Sequence, residues 1–342
     1  MIVEMNNTTK ARHYWIDVIR ITAMVLIIFM HTPIPNVGTP GTVLSTLSFL
    51  TGPGVGLFLM ISGALLLGNN MQQRDFLKRR FSKVLWPTLF WTAVYLVLKH
   101  ASEPTSVNHT IKEILSIPFD KQGHGVLWFM YTLAGLYLLT PILSRWLKTA
   151  TRHEVEFYLL LWVITLLYPY LKIVLSINTE ATGILYYFTG YCGYFLLGYY
   201  LKKYVITKGI NRWHMLSCVL VIFLCVTIVF VSKRLKSDMS INDFFWYLSL
   251  PMAMMSCAYF VLLSQIKIKY YQIIISKLSA LSFGVFLIHI LVMRYFLWNI
   301  NVLHDCGAIL HIPFIAFLTI VISWSIAFLI SKLPFSKYII GI

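Results

Sequence analysis

The sequence predicts an all-α, polytopic membrane bundle of about ten transmembrane helices with both termini in the cytoplasm. Three observations predict it. Hydrophobic residues make up 58% of the 342 residues and charged residues 12%, about half the charged share of an ordinary soluble domain. Mean hydropathy is +0.76, so the chain is apolar throughout rather than in patches. The apolar residues also fall in runs close to the 20 or so that span a hydrocarbon core. This composition excludes an ordinary cytosolic enzyme, a disordered chain and a fibrous repeat.

The runs follow in order. The first, 14–32, keeps Asp17 and Arg20 and lacks a small-x-small cleavage site, so it reads as a retained helix and not a cleaved leader. The second, 43–67, is apolar with small residues. The third, 84–99, is short and follows a basic loop, Arg74 to Lys83. Runs 127–147, 156–175, 184–201 and 213–232 come next. The eighth, 244–264, contains Pro251, and 277–298 and 308–331 complete the set. The longest connection, 100–126, is polar with a short helix expected at 108–117. No segment between the runs is long enough for a second domain, so 1–342 reads as one integral-membrane domain with no appended soluble domain.

Net charge is +16, from 28 Lys and Arg against 12 Asp and Glu. In a soluble chain that excess points to nucleic acid. Here the cations lie between apolar runs, and no nucleic-acid partner is expected. Nineteen fall in the tails and even-numbered connections, seven in the odd-numbered ones, and Arg20 and Arg294 lie within runs. The positive-inside rule then puts both termini in the cytoplasm and makes the lipid bilayer the first partner. Cys192, Cys218, Cys225 and Cys257 lie in apolar runs and Cys306 in a loop, without CxxC spacing. Neither a zinc site nor a disulfide framework follows.

An ionisable group inside a membrane is a functional candidate by default. The first run carries Asp17, Arg20 and His31, and the ninth carries His289 and Arg294. No carboxylate lies deep in any run, which weighs against a proton- or sodium-coupled transporter. Arg20 and His31 are eleven steps apart, about 20° past three helical turns, so they share a face roughly 16 Å apart. Asp17, three residues before Arg20, is in reach of an ion pair. Two readings of this face stand side by side. In one, Arg20 snorkels to the inner interface and His31 caps the outer end. In the other, Arg20 holds an anion entering from the cytoplasm and His31 moves a proton above it. Ser62 and Gly63 end the second run at the depth of Arg20, either for helix packing or to meet the same ligand. The run through Arg79 and Arg80 is a topology signal that contacts anionic lipid, or a phosphate-binding rim. Trp128 and Tyr131 open the fourth run as an aromatic belt or a sugar-stacking wall. His289 lies mid-depth, as a satisfied bundle residue or a functional one. No two histidines share a helical face within a run, so no metal is expected.

At these residues the sequence resembles the acyltransferase 3 family of membrane-bound acyltransferases. It is most similar to the stand-alone branch that includes the enterobacterial common antigen O-acetyltransferases. The resemblance rests on Tyr14-Trp-Ile-Asp-x-x-Arg20 with Arg-x10-His to His31, and on Phe58-Leu-Met-Ile-Ser-Gly63. Arg79-Arg80 ahead of Pro87, Leu127-Trp-Phe with Tyr137 and Pro141, and Ser282-Phe-Gly-x-x-Leu-Ile-His289 extend it. It covers roughly 13–331. Two positions depart from the family pattern: Val126 stands where a histidine often does, with His124 two residues earlier, and Phe286 stands where tyrosine is frequent. The resemblance implies a bacterial inner-membrane enzyme with no permanently bound cofactor. It would take an acyl group, usually acetyl, from cytoplasmic acetyl-CoA to a hydroxyl of a cell-envelope glycan or lipid-linked sugar at the outer face. His31, Arg20 and Asp17 would be the catalytic set, and Ser62, Gly63, Arg79 and Arg80 would meet the donor. Trp128, Tyr131 and His289 would meet the acceptor. The domain would act alone or with glycan-assembly partner proteins. A transporter or flippase for a lipid-linked glycan or acyl donor is the alternative class.

Overall fold

The computed structural model describes residues 13–33, 41–69, 72–102, 107–116, 127–176, 183–234, 247–300 and 307–342. Every regular element among them is helical. We number the α-helices α1 (Tyr14–His31), α2 (Gly41–Thr51), α3 (Pro53–Leu66), α4 (Gln73–Ser102), α5 (Val107–Ser116), α6 (Trp128–Thr149) and α7 (Arg152–Thr165). They continue as α8 (Tyr168–Leu175), α9 (Cys192–Tyr200), α10 (Arg212–Arg234), α11 (Leu250–Ser264), α12 (Gln272–Ile290), α13 (Ala308–Ile330) and α14 (Ser336–Ile340). Among the described residues, seven helical stretches are long and apolar enough to cross a membrane. They match seven of the ten expected runs. The other three runs are helical but less apolar or shorter: α6 carries Arg145 and Lys148, and α9 and α11 fall below spanning length.

α1 is the central post. Its buried Ile16, Ile19, Ala23, Met24, Ile27 and Ile28 recur at helical spacing, the stripe of an amphipathic helix facing a core. It packs on α3, α11, α12 and α13. α3 is buried nearly all round and approaches α9 most closely. Glycines permit that approach. A Cβ on Gly63 would strike the Phe195 carbonyl, and one on Gly198 would strike the Met60 backbone. Small residues allow such backbone contact where lipid gives helices no hydrophobic reason to associate.

Several expected boundaries shift. The basic segment 74–83 is not a loop: it is the first third of α4, a 30-residue helix with Pro87 inside. Pro87 lacks an N–H, which leaves the Lys83 carbonyl without its helical donor. Gly341, at φ +75°, packs directly over that carbonyl. The run 43–67 divides into α2 and α3 at Gly52–Pro53. The run 156–175 divides into α7 and α8, with a proline opening α8. The run 184–201 is regular only from Cys192. Before it lie a 3-10 turn at Tyr186–Phe188 and Gly190 at φ +96°, whose carbonyl accepts the Trp162 indole N–H at 2.9 Å. The run 244–264 is helical from Leu250. The expected helix at 108–117 is present as α5. His124, Val126 and Cys306 lie outside the described residues.

Candidate functional site

Site building starts at the first turns of α1. Asp17 is 5% exposed. A carboxylate so placed needs hydrogen bonds, and α12 supplies them: Ser279 donates to Oδ1 at 2.6 Å and Ser276 donates to Oδ2 at 3.3 Å. Ser279 also accepts from Arg20 Nη1 at 3.1 Å, and Arg20 stands 3.8 Å from Asp17. One serine hydroxyl thus links acid and base. The Arg20 side chain keeps 28% of its surface open while that of Asp17 keeps 6%. Asp17 is the buried anchor and Arg20 the presented charge.

That charge faces a cavity of about 350 Å³. Arg20, Ser62, Arg80, Lys83 and Tyr137 supply its polar wall. The Ser62 hydroxyl donates to the Phe58 carbonyl at 2.9 Å and pairs with the Tyr137 phenol, which lines the same cavity as Arg20 and Arg80. Ile340, Gly341 and Ile342 close one side. The C-terminal residues and Arg20 of α1 therefore line the same cavity. Arg79 is exposed and outside this wall, and Gly63 is buried in the α3–α9 contact. The two expected basic donor contacts thus separate, and Gly63 takes its packing role. A second cavity, near 330 Å³, lies between Trp146, Tyr158, Trp162 and Phe188, with no charged residue in its wall.

The other end of α1 has different chemistry. His31 Nδ1 lies 2.8 Å from the Ile27 carbonyl, and His289 Nδ1 lies 2.7 Å from the Phe286 carbonyl. A carbonyl only accepts, so in each neutral ring Nδ1 holds the proton and Nε2 keeps a lone pair. The rings meet edge to face, centroids 5.5 Å apart. His289 is 1% exposed and its Nε2 has no partner among the described residues. Sequence spacing alone did not pair these two histidines.

α12 is deformed next to His289. Tyr95 of α4 donates its hydroxyl to the Leu287 carbonyl at 2.7 Å and accepts from the Leu291 N–H at 3.2 Å. The phenol is spliced into the helical ladder, a recognised cause of local bending. Residues Leu291–Phe296 then run as a π turn, a feature frequent at functional sites. This turn carries Arg294, which stacks over Trp298.

Trp128 connects toward the two imidazoles through Tyr247 and Met30. Its ring stacks between Tyr191 and Tyr247, both at 5.4 Å, and the Tyr247 hydroxyl donates to Met30 Sδ, beside His31. Tyr131 instead turns to α4, its hydroxyl 3.0 Å from that of Thr92. The sequence reading missed Ser276, Ser279, Tyr95 and the C-terminal residues, whereas Lys83 closes the basic segment it read as a phosphate-binding rim. Only the serines had a signal: 276, 279 and 282 share one face of an otherwise apolar helix.

A helical bundle with seven stretches able to cross a membrane, a guanidinium-lined cavity at one end of its first helix and paired imidazoles at the other, defines a multi-pass membrane protein. Residues 13–328 match the profile of the Acyl_transf_3 family, described as an acyltransferase domain. The chain belongs to that family and is a membrane acyltransferase in kind. No curated protein and no solved structure gives a significant match.

Proposed function

We propose that this protein is an acetyl-CoA-dependent O-acetyltransferase of the bacterial inner membrane, acting on a hydroxyl of a cell-envelope glycan or lipid-linked sugar, in the manner of the stand-alone branch it resembles. The observation that carries the reading is the pairing on one face of α1. Arg20 presents its charge into a cavity, and His31 holds Nδ1 on its own helix with Nε2 left basic.

In this reading the donor enters from the cytoplasm, and its phosphates meet Arg20, Arg80 and Lys83, which suit oxyanions. The thioester lies toward His31. His31 Nε2 takes the proton of the acceptor hydroxyl as its oxygen attacks the thioester carbonyl. The C–O bond forms, the C–S bond breaks, and the thiolate leaves as CoA with that proton returned to it. Asp17 fixes Arg20 through Ser279. His289 offers a second acceptor nitrogen to the incoming sugar, and Trp128, Tyr191 and Tyr247 form the aromatic surface beside it. Aromatic faces of this kind suit the apolar face of a sugar ring.

The test is release of free thiol from acetyl-CoA by the purified protein with a cell-envelope glycan extract, set against His31→Ala. Acetyl ester formed with CoA in equal amount, and lost in the variant, supports the reading. Ester formation that survives both His31→Ala and Arg20→Ala sinks the mechanism. Binding of acetyl-CoA without any turnover, and transfer of a lipid-linked sugar across vesicles instead, moves the protein to the transporter class.

A further inference from the structure

The cavity that holds Arg20 does not reach the imidazoles. Its wall includes Phe58, Phe129 and Phe286, whereas His31 and His289 are not part of it. Rings fill the gap without a break. Phe58 lies 6.1 Å from Phe129, Phe129 lies 5.4 Å from Phe286, Phe286 lies 5.6 Å from His289, and His289 lies 5.5 Å from His31. Three helices, α3, α6 and α12, each contribute one phenylalanine. Phe129 and Phe286 are 3% and 6% exposed, and Phe58 is half-buried. At these centroid separations the rings are in contact, so a row of rings lies between the cavity and the two imidazoles.

This arrangement has a consequence for a thioester donor held by its phosphates at Arg20 and Arg80. The acyl group is the far end of that molecule and must come to rest against the rings. The cavity is about 350 Å³, within the range of small-ligand sites, and the rings are its limit on the side of the imidazoles. The same rings stand between the thioester and whatever enters at the imidazole side, water included.

We propose that Phe58, Phe129 and Phe286 form an aromatic partition that sets the acyl chain length of the donor and shields its thioester until the acceptor is in place. The proposal rests on the acyl-CoA reading above and deepens it: the donor class is the short-chain acyl-CoAs. A discriminating hydrophobic wall gives about 10- to 200-fold per methylene. The partition must therefore weaken hexanoyl-CoA relative to acetyl-CoA by at least about tenfold. Removing a ring must erase that penalty. It must also raise hydrolysis without acceptor, in which water attacks the carbonyl, the C–S bond breaks, and acetate and the free thiol of CoA are released.

The experiment measures binding of acetyl-, butyryl- and hexanoyl-CoA to the full-length protein in detergent, with thiol release read in parallel without acceptor. Wild type is compared with Phe286→Ala, Phe58→Ala and Phe286→Tyr. Phe58 is half-buried and its truncation is the more readily folded, so the test survives failure of the Phe286 variant. Phe286→Tyr keeps a ring and should keep the short-chain profile. The expected result is a steep fall in affinity with chain length in wild type and Phe286→Tyr. The alanine variants should show a flattened profile and thiol release raised at least about tenfold. A profile already flat in wild type, or unchanged in a folded alanine variant, overturns the partition alone. No binding of any acyl-CoA, with the purified wild type folded, overturns the partition and the donor reading together.

Discussion

The two ends of α1 bury polar groups in opposite ways. At the Arg20 end, acid, base and hydroxyl are hydrogen-bonded together, with Ser279 serving both charges, and Arg20 lines open volume. At the His31 end, each imidazole bonds a carbonyl of its own helix through Nδ1, the His289 Nε2 has no partner among the described residues, and Phe286 packs against His289. The first arrangement holds a charge still at a fixed place. The second keeps a lone pair available. Eleven residues on one helical face thus separate a charged cluster beside a cavity from a pair of imidazoles, and under the proposed function a substitution at each end should move a different kinetic constant.

The largest expected effect is at the imidazoles. His31→Ala should lower kcat for acetyl transfer by about 10²- to 10⁴-fold, the usual share of general-base catalysis, with KM for acetyl-CoA nearly unchanged. A loss confined to KM would place His31 in binding and erase the contrast. Arg20→Ala comes next, with the opposite signature. Charged hydrogen bonds contribute about 1.5–3 kcal/mol, so KM for acetyl-CoA should rise roughly 10- to 150-fold while kcat changes less. If Arg20→Ala instead stops turnover at saturating donor, its charge acts on the reaction and not on the ligand.

Gly63 tests the boundary between site and scaffold. A methyl there meets the Phe195 carbonyl, so Gly63→Ala should cost about 1–3 kcal/mol of stability, as overpacking does. Thermal unfolding in detergent should register this loss, and KM for acetyl-CoA should stay within about twofold of wild type once the folded fraction is counted. Unchanged melting together with weakened acetyl-CoA binding would return Gly63 to the donor set.

Much of the helical scaffold was legible because periodicity and length are local. Arg20 and His31 share a face for the same reason, and Asp17 reached Arg20 as its spacing requires. The errors have a common cause. The 74–83 segment was read as a loop because charged residues interrupt an apolar run, yet Gln, Arg, Leu and Lys are good helix formers, and Pro87 bends α4 without ending it. The region before Cys192 is apolar enough to span, but Gly190 takes a backbone conformation that a helix cannot continue through. Ser279 lies more than 250 residues from Asp17, and Tyr95 lies 192 from Leu287. Contacts that distant leave no periodic trace in either segment. The pairing of His31 with His289 and the closure of the cavity by Ile340–Ile342 belong to the same class.

The smallest expected effect separates two neighbours that the sequence treated alike. Arg79 and Arg80 lie 100° apart on α4. Arg80 is half-buried and lines the cavity with Lys83, beside the Tyr137 phenol, whereas Arg79 is exposed and outside it. An exposed cation paired only through solvent contributes about 0–1 kcal/mol, so Arg79→Ala should leave KM for acetyl-CoA within about twofold. Arg80→Ala should raise it by about three- to tenfold, below the effect of Arg20, because Lys83 remains in the same wall. Salt sharpens the comparison. The Arg80 effect acts at short range in a partly enclosed cavity and should persist as ionic strength is raised, while any Arg79 effect should fade once the screening length drops below about 10 Å. Equal losses from both variants that vanish together in salt would mean that the basic face of α4 works as a diffuse field for anions. In that case the cavity wall would not select its ligand through Arg80.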